Sequence, residues 1–364
     1  MAVSRLVLGG LLAASLSAAA FGAASADSFK VDGEMKPAFV YFNVKNDGGW
    51  VQALDEARGR MEGDLGVKIP FTEKVAEVAT EIRPAVERYI DRGHNVILGS
   101  AFGYSDTFKE LAEKHPDVLF LNPAGITNGP NLMSYYGRTY ESQYLCGMVA
   151  GAMSKTGKLG FVAANPLPLV TWTVNAYALG AQQINPDATV NVVFTGAWYD
   201  PVKEREAALA LVEQGVDVIG IHVDTPAVPV VAQEKGILAT GHHRDMTEFA
   251  PESTVCSSVW VWDKFLTPAL KAATSDGLEM QPYGAFLSIK DGGTDIALSN
   301  DAVPADVKEK VMAARQAIID GKHVFEGPIV DQDGNEKVAA GAHPDDGQMW
   351  GMDYLVKGVV GSLN

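Results

Sequence analysis

The sequence is poor in positive charge. It has 29 lysine and arginine residues against 45 aspartate and glutamate residues, which gives a formal net charge of -16. Binding to a phosphate backbone needs clustered lysine and arginine side chains, so this balance argues against a nucleic-acid partner. The same imbalance argues against adhesion to anionic lipid.

Cysteine is scarce as well, since Cys146 and Cys256 are the only two in the chain. Cys146 lies in an apolar segment with a helical pattern, and Cys256 lies in an apolar strand-like segment. Buried cysteine behaves as a small apolar side chain, so the sequence favours two separate buried thiols. A disulfide between them in an oxidising compartment is the alternative.

Beyond the first 26 residues, no stretch is long and apolar enough to span a bilayer. The N-terminus has the pattern of a secretory signal peptide: Arg5, an apolar segment over residues 6–21, and small residues before a cleavage site after Ala26. The mature chain would then begin at Asp27, which carries no lipid anchor. We expect an exported, periplasmic protein without direct membrane insertion, and its roughly 338 residues are enough for two domains.

Motifs of common catalytic and metal chemistry are missing, including HExxH, Cys-x-x-Cys, the GxSxG elbow and the phosphate-binding GxxxxGK[ST] loop. Residues 331–336 start like a calcium loop but lack its later glycine and glutamate, so a hairpin turn is favoured. The sequence predicts no enzyme, no cofactor and no metal site, and a nucleoside-processing enzyme is the alternative from another class. Metal ligands without a known spacing remain an alternative for five residues: His222, Asp224, His242, His243 and Asp245.

Strands and helices alternate along the chain, starting from residues 38–62. This stretch opens with an apolar run at residues 39–42, turns at two glycines and enters a helical pattern at Trp50. Such alternation predicts an α/β fold with parallel sheets covered on both faces, and ligands bind where the strands of such sheets end. Further strands are predicted near residues 68–71, 95–98, 118–121, 158–163, 189–194, 216–221, 237–240, 257–261 and 283–289.

Aromatic residues follow three of these strand ends: Trp50, Phe102 and Trp198. Two aromatic faces from different domains hold a flat ring, and each stacking contact contributes roughly 1–3 kcal/mol. Nearby carboxylates and amides, such as Asn46 and Asp47, would bond ring N–H groups. This combination favours recognition of a purine, a nucleoside or another planar heterocycle over catalysis. The alternatives are that Trp50 caps the core of the first helix and that Trp198 packs inside its own domain.

Six short motifs occur in a defined order along the chain: DGGWV at 47–51, GAWYD at 196–200, GVDVIGIHVDTPAV at 215–228, GHHRDM at 241–246, LSIKDGG at 287–293 and MDYLVKGVVG at 352–361. In this order they resemble the turns and the closing helix of the basic membrane protein family of ABC-transporter substrate-binding proteins, which includes purine nucleoside receptors. The resemblance covers the whole mature chain. It implies a solute receptor whose partners are a small-molecule ligand, a permease and an ATPase.

The resemblance also implies a type I periplasmic-binding-protein fold, with two doubly wound parallel-sheet domains joined by three hinge crossings. The implied N-terminal lobe comprises residues 27–135 and about 256–283, and the C-terminal lobe residues 136–255 and about 284–364. In this interpretation Trp50 and Trp198 stack on the ligand, Asn46 and Asp47 bond the base, and Lys290 contacts it from the last crossing. The full set of candidate ligand-binding residues is Asn46, Asp47, Trp50, Phe102, Trp198, Asp224, His243 and Lys290.

The chain departs from the family pattern at three points. His243 stands where nucleoside-binding members have an acidic residue that holds the ribose, Trp replaces Phe at both stacking positions, and the lipid-anchor cysteine is missing. Loss of the ribose carboxylate favours a bare nucleobase such as adenine or hypoxanthine. A receptor for a nucleoside or a flavin is the alternative, and a buried structural histidine is the alternative for His243.

Overall fold

The computed structural model describes residues 28–298 and 301–363. The predicted signal peptide at residues 1–26 lies outside the described residues. Within the described ranges, every helix is too short or too polar to cross a bilayer.

The strands are numbered in chain order. They are β1 (Ser28–Phe29), β2 (Pro37–Val40), β3 (Phe71–Thr72), β4 (Val96–Leu98), β5 (Leu119–Pro123), β6 (Leu132–Gly137), β7 (Lys158–Ala163), β8 (Thr189–Phe194), β9 (Val218–His222), β10 (Leu238–Gly241), β11 (Thr254–Trp260), β12 (Leu278–Glu279), β13 (Ala285–Leu287), β14 (Thr294–Ala297), β15 (Ile329–Val330), β16 (Glu336–Val338) and β17 (Val359–Val360).

The helices are numbered in the same way. They are α1 (Trp50–Leu65), α2 (Ala79–Ile90), α3 (Ser105–Lys114), α4 (Thr139–Met153), α5 (Pro168–Ile184), α6 (Pro201–Glu213), α7 (Ala227–Lys235), α8 (Asp263–Ala273), α9 (Ala305–Ile319) and α10 (Asp346–Trp350), with 3-10 turns at Phe102–Tyr104 and Met246–Glu248.

Two sheets form the cores of two lobes. The first lobe has a six-stranded sheet in the order β13-β6-β5-β4-β2-β3, and all its neighbours are parallel. The second lobe has a seven-stranded sheet in the order β14-β11-β10-β9-β7-β8-β17, in which only β14 is antiparallel to its neighbour. Helices α1, α2, α3 and α8 cover the first sheet, and the other helices belong to the second lobe. The predicted pair of parallel-sheet domains is thus confirmed.

The chain crosses between the lobes three times: after β6, after β11 and after β13. Sheet membership differs from the predicted boundaries near residues 256 and 283. Strand β11 belongs to the second lobe although residues 256–260 were predicted in the first, and β13 belongs to the first lobe. The chain stays in one lobe to the end of each strand and crosses only afterwards, so two of the crossings follow β11 and β13.

The last motif, residues 352–361, does not form the closing helix that the family resemblance implies. Residues Val359–Val360 instead form β17, which pairs with β8 at the edge of the second sheet. Glycines with positive φ flank this pair, Gly358 at 93° and Gly361 at 154°. Positive φ and two β-branched residues both disfavour helix, so the segment extends along the sheet edge.

The two cysteines form a disulfide, which corrects the expectation of separate thiols. Helix α4 packs on strand β11, and this contact brings the Cα atoms of Cys146 and Cys256 to 5.5 Å. That separation lies within the range of disulfide geometry. Both residues lie in the core, 0% and 1% exposed, so their segments were correctly predicted to be buried, but their pairing depends on a tertiary contact that neither segment shows alone.

Candidate functional site

A cavity with about 460 Å³ of empty space, including its mouth, lies between the two lobes. The first lobe contributes the rings of Phe42, Trp50, Phe102 and Tyr136 together with Glu77, and the second contributes Leu169, Trp198, His222, Asp224 and His243. The walls are therefore mainly aromatic, with a few polar groups.

Trp50 is the first residue of helix α1, and its indole lines the cavity while 93% of the residue is buried. Its ring packs edge-on against Trp260 and Trp262, with centroids 5.4 and 6.0 Å apart. Its Nε1–H donates a hydrogen bond of 2.7 Å to the carbonyl oxygen of Ser100. The core alternative and the cleft interpretation therefore both apply, because the ring packs against two buried tryptophans and the residue also borders the cavity.

Phe102 and Trp198 are the more accessible aromatic residues of the site. Phe102 follows β4 and is 37% exposed, while Trp198 follows β8 and is half-buried. They belong to different lobes and both line the cavity. The Trp198 carbonyl accepts a hydrogen bond of 2.9 Å from the Asp224 N–H, which ties the Trp198 turn to the end of β9.

Asp224, His243 and Trp260 form a buried polar chain at the cavity wall. The Trp260 Nε1–H donates a hydrogen bond of 2.9 Å to His243 Nδ1, and His243 Nε2 lies 3.0 Å from Asp224 Oδ1. Burial lowers the pKa of His243 to about 3 and raises the pKa of Asp224 well above its usual value, with repulsion from Glu77 adding to the latter shift. A neutral His243 that accepts at Nδ1 carries its proton on Nε2, facing Asp224. The backbone of His243 has a φ of 73°, an uncommon conformation for a side chain of this size.

Asp47 caps helix α1 and does not line the cavity. Its Oδ1 accepts hydrogen bonds from the N–H groups of Gly49 and Gln52, at 2.9 and 3.0 Å, and its Oδ2 accepts one of 3.0 Å from Val51. Burial and the nearby charge of Asp224 raise the pKa of Asp47 to about 6. Because the helix N-terminus uses both oxygens, the Asp47 carboxylate positions Trp50 in this closed arrangement instead of facing the cavity.

The structure places the remaining predicted residues apart from the cavity. Asn46 and Lys290 are exposed and absent from its walls. The other predicted residues with a place in the cavity wall are Trp50, Phe102, Trp198, Asp224 and His243.

Sequence reasoning missed Glu77, Tyr136 and His222 as cavity residues. Glu77 precedes helix α2 and accepts a hydrogen bond of 2.6 Å from the Gly103 N–H, and no local pattern points to it. Tyr136 lies in β6, a strand that was not predicted. For His222 the sequence did contain an indication, because this residue directly follows a predicted strand, at the sheet edge where ligands bind.

The lobes touch directly beside the cavity. A Cβ on Gly49 would lie 2.1 Å from the Asp224 carbonyl oxygen, so the first-lobe turn fits against the second lobe only as glycine. Arg244 in the second lobe donates a hydrogen bond of 2.9 Å from Nε to Oε1 of Glu56 on helix α1, and its Nη2 forms an ion pair of 2.7 Å with the same oxygen. The described arrangement is therefore closed.

The metal alternative finds no support in the ranges that the structure describes, where no group of three or more ligating side chains could hold an ion. His222 stacks on His242, and His242 lies against His243, with ring centroids 4.6 and 4.0 Å apart. The histidine rings therefore meet through their faces, whereas a metal site needs ring nitrogens that converge on one point.

At residues 331–336 the predicted hairpin is confirmed, because β15 and β16 pair antiparallel around it. Asp331 Oδ1 accepts hydrogen bonds from the N–H groups of Asp333 and Asn335.

Comparison with known proteins gives a consistent result. The profile of the family described as ABC transporter substrate-binding protein, PnrA-like, matches residues 35–326. A purine-binding protein of Brucella abortus is 36% identical over 90% of this chain and 93% of its own length. A Haloferax volcanii protein named as a candidate ABC-transporter glucose-binding protein is 33% identical over 82% of this chain and 76% of its own.

A solved solute-binding protein of an ABC transporter from Aeropyrum pernix superposes with a TM-score of 0.68 at 17% identity, covering 87% of this chain and 96% of that one. This likeness concerns the fold alone. Together with the two parallel-sheet lobes and three crossings, it confirms the expected type I periplasmic-binding-protein fold.

Proposed function

The chain belongs to the Bmp family of PnrA-like ABC transporter substrate-binding proteins, and we propose that it binds a purine nucleobase in the cavity between its lobes. The family resemblance from the sequence is thereby confirmed, and members of this family are binding proteins rather than enzymes. The observation that carries the proposal is the cavity itself, whose rings come from both lobes.

The aromatic lining of the cavity suits a flat ring. Phe102 on one lobe and Trp198 on the other border the same space, and Trp50 adds a third aromatic edge. Base–aromatic stacking contributes about 1–3 kcal/mol per contact and depends on the ligand having a π-face. A sugar has no π-face to stack on either ring, although its C–H groups would pack on both.

The polar groups of the cavity suit an uncharged ligand. His243 is neutral, and burial strongly disfavours the charged form of Asp224. A cavity whose buried polar groups disfavour charge suits an uncharged base such as adenine or hypoxanthine better than a charged ligand. His243 also replaces the acidic residue that the family resemblance assigns to the ribose, so a base is favoured over a nucleoside.

The family places the protein outside the cytoplasm as the receptor of an ABC importer. A permease and an ATPase are its partners in such a system. With the predicted signal peptide, this supports a periplasmic receptor that closes on its ligand and delivers it unchanged.

A ligand screen tests the proposal. Residues 27–364, unfolded and refolded to remove carried-over ligand, are heated with adenine, hypoxanthine, guanine, their nucleosides, riboflavin and glucose. A ligand at a thousandfold excess over its Kd stabilises the protein by about 4 kcal/mol, which raises the melting temperature. We expect the largest rise with a base. A rise with glucose alone would overturn the proposal and leave the family assignment intact, and a rise with nucleosides alone would replace the base with a nucleoside.

A further inference from the structure

We infer that His222 is the residue of the second lobe that hydrogen-bonds the base and determines which purine the cavity accepts. The inference rests on the proposed function and deepens it. His222 is the last residue of strand β9, is 3% exposed and lines the cavity.

Both ring nitrogens of His222 lack a hydrogen bond to any other residue in the described part of the chain. A buried polar atom without a partner is costly, and native interiors rarely contain one. His222 contains two such atoms on one ring. An unpartnered buried group that borders a ligand cavity is a group that a ligand can satisfy.

The neighbouring histidines differ from His222 in this respect. His243 accepts a hydrogen bond from Trp260 at Nδ1, and His242 Nδ1 lies 3.3 Å from both the Gln143 amide and the Ser258 hydroxyl. His242 is also absent from the cavity walls. Of the three histidines, His222 is therefore the one that combines a cavity position with two nitrogens that bond no other described residue.

The ring of His222 is held in place by its faces. It stacks on His242 with centroids 4.6 Å apart, and Trp198 meets it at an angle with centroids 6.3 Å apart. A hydrogen-bonding group held in this way loses little side-chain freedom when a ligand binds. It can also impose an orientation on a base that stacks beside Trp198.

The chemistry of the group defines the ligand class. Burial lowers the pKa of His222 to about 3, so the imidazole is neutral at pH 7 and offers one donor and one acceptor. An uncharged planar heterocycle with a donor and an acceptor on its edge satisfies such a ring, whereas a carboxylate or phosphate ligand would find only a single donor. Adenine and hypoxanthine differ in donor and acceptor at the 6-position, so the tautomer that His222 adopts would discriminate between them.

Titration calorimetry of three variants tests the inference, with adenine and hypoxanthine as the probes. His222→Phe keeps an aromatic ring without nitrogens, His222→Gln keeps a donor and an acceptor, and Tyr199→Phe is the control, because Tyr199 is exposed and absent from the cavity walls. We expect His222→Phe to lose affinity by roughly 10-fold to 100-fold, as for a lost buried hydrogen bond, with an unchanged or higher melting temperature of the ligand-free protein. We expect His222→Gln to retain most of the affinity for one base and to shift the adenine-to-hypoxanthine affinity ratio, which a merely structural residue would leave unchanged.

The outcomes separate the inference from the proposed function. If the unmodified protein binds a base and His222→Phe binds it within twofold, the role of His222 is refuted and the purine function stands. If His222→Phe does not fold, an unaltered affinity ratio in His222→Gln refutes it instead. If the unmodified protein binds no base at all, both fail together.

Discussion

The indole N–H of Trp50 donates a hydrogen bond of 2.7 Å to the carbonyl oxygen of Ser100. This bond joins the start of helix α1, which follows strand β2, to the segment that follows strand β4. Strands β2 and β4 are neighbours in the first sheet. The bond fixes the ring between the aromatic cluster of Trp260 and Trp262 and the cavity. Trp50 is thus a structural residue that also forms part of the site, and its replacement affects both properties.

Trp50→Ala is expected to destabilise the ligand-free protein by about 3–5 kcal/mol, because it leaves a large cavity in the core. Trp50→Phe is expected to cost less, roughly 1–3 kcal/mol, since it keeps a ring but leaves the Ser100 carbonyl without its donor. Urea denaturation of the ligand-free variants measures both values. Phe102→Ala is the control, because its side chain is 37% exposed. Equal stability of Trp50→Ala and Phe102→Ala would contradict the packing described for Trp50.

Trp198→Ala is expected to weaken binding of a base by about 1–3 kcal/mol, or roughly 5-fold to 150-fold in Kd, through the loss of a stacking contact. The change in melting temperature without ligand should be small, since Trp198 is half-buried. Calorimetric titration gives the affinity. The neighbour Tyr199 is 41% exposed and lies outside the cavity walls, so Tyr199→Ala serves as the matched control. A Tyr199→Ala effect as large as that of Trp198→Ala would argue against stacking at Trp198.

Glu56→Gln is expected to reduce ligand affinity by up to about fivefold, because the ion pair between Glu56 and Arg244 joins the two lobes in the closed arrangement. The effect is modest since the Glu56 side chain is 38% exposed. Small-angle scattering with ligand would show whether a larger fraction of molecules is open. Glu234→Gln removes an exposed pair with Arg205 inside the second lobe and should leave affinity unchanged. Equal effects of the two variants would exclude a specific role in closure.

Glu204 predicts a defined pH dependence of stability. Burial raises its pKa to about 7, although Thr225 and the Asp200 N–H bond its carboxylate. The folded protein therefore holds this proton more tightly than the unfolded chain, whose glutamate titrates near 4.5. The stability that protonation contributes is complete below about pH 4.5 and is lost as the pH rises toward 7.

Chemical denaturation from pH 4 to pH 8 measures this contribution. The free energy of unfolding of Glu204→Gln should rise relative to that of the unmodified protein across this interval and level off above it. Glu213→Gln is the control, since Glu213 lies exposed on the same helix α6. A difference between Glu204→Gln and the unmodified protein that is flat with pH would contradict the raised pKa.

Removal of the disulfide is expected to destabilise the second lobe. Cys146 and Cys256 are 110 residues apart, and closing a loop of that length stabilises a protein by roughly 2–5 kcal/mol. The double variant Cys146→Ala/Cys256→Ala should lose that amount in urea denaturation. Adding a reductant should destabilise the unmodified protein and leave the double variant unaffected. No effect of reductant on either protein would show that the cysteines are unpaired in solution.

Local sequence patterns were sufficient for strands that are mainly apolar and bounded by turns. Strands β7 and β8 are of this kind, and they begin and end at the predicted residues, 158–163 and 189–194. Strand β6 escaped prediction because its Ser and two Tyr residues weaken the apolar pattern, and it is defined by pairing with β5 and β13. Helix α5 begins at Pro168, six residues before its predicted start, because proline is favoured in the first turn.

The site was predictable to the extent that its residues follow strand ends. Trp198 and His243 line the cavity because the carboxyl ends of parallel strands share one edge of a sheet. The same rule predicted Asp47 near the ligand, but its carboxylate accepts hydrogen bonds from the otherwise unsatisfied N–H groups at the start of helix α1. Glu77 reaches the cavity from a loop, and its position depends on contacts between distant segments that no local pattern encodes.

The central claim is that a purine base occupies the cavity between the lobes. A crystal structure of the refolded protein grown with hypoxanthine tests it most directly. We expect planar density bordered by Phe102 and Trp198, with an edge within hydrogen-bonding distance of His222. Hypoxanthine bound elsewhere, or a cavity that stays empty at saturating hypoxanthine, would contradict it.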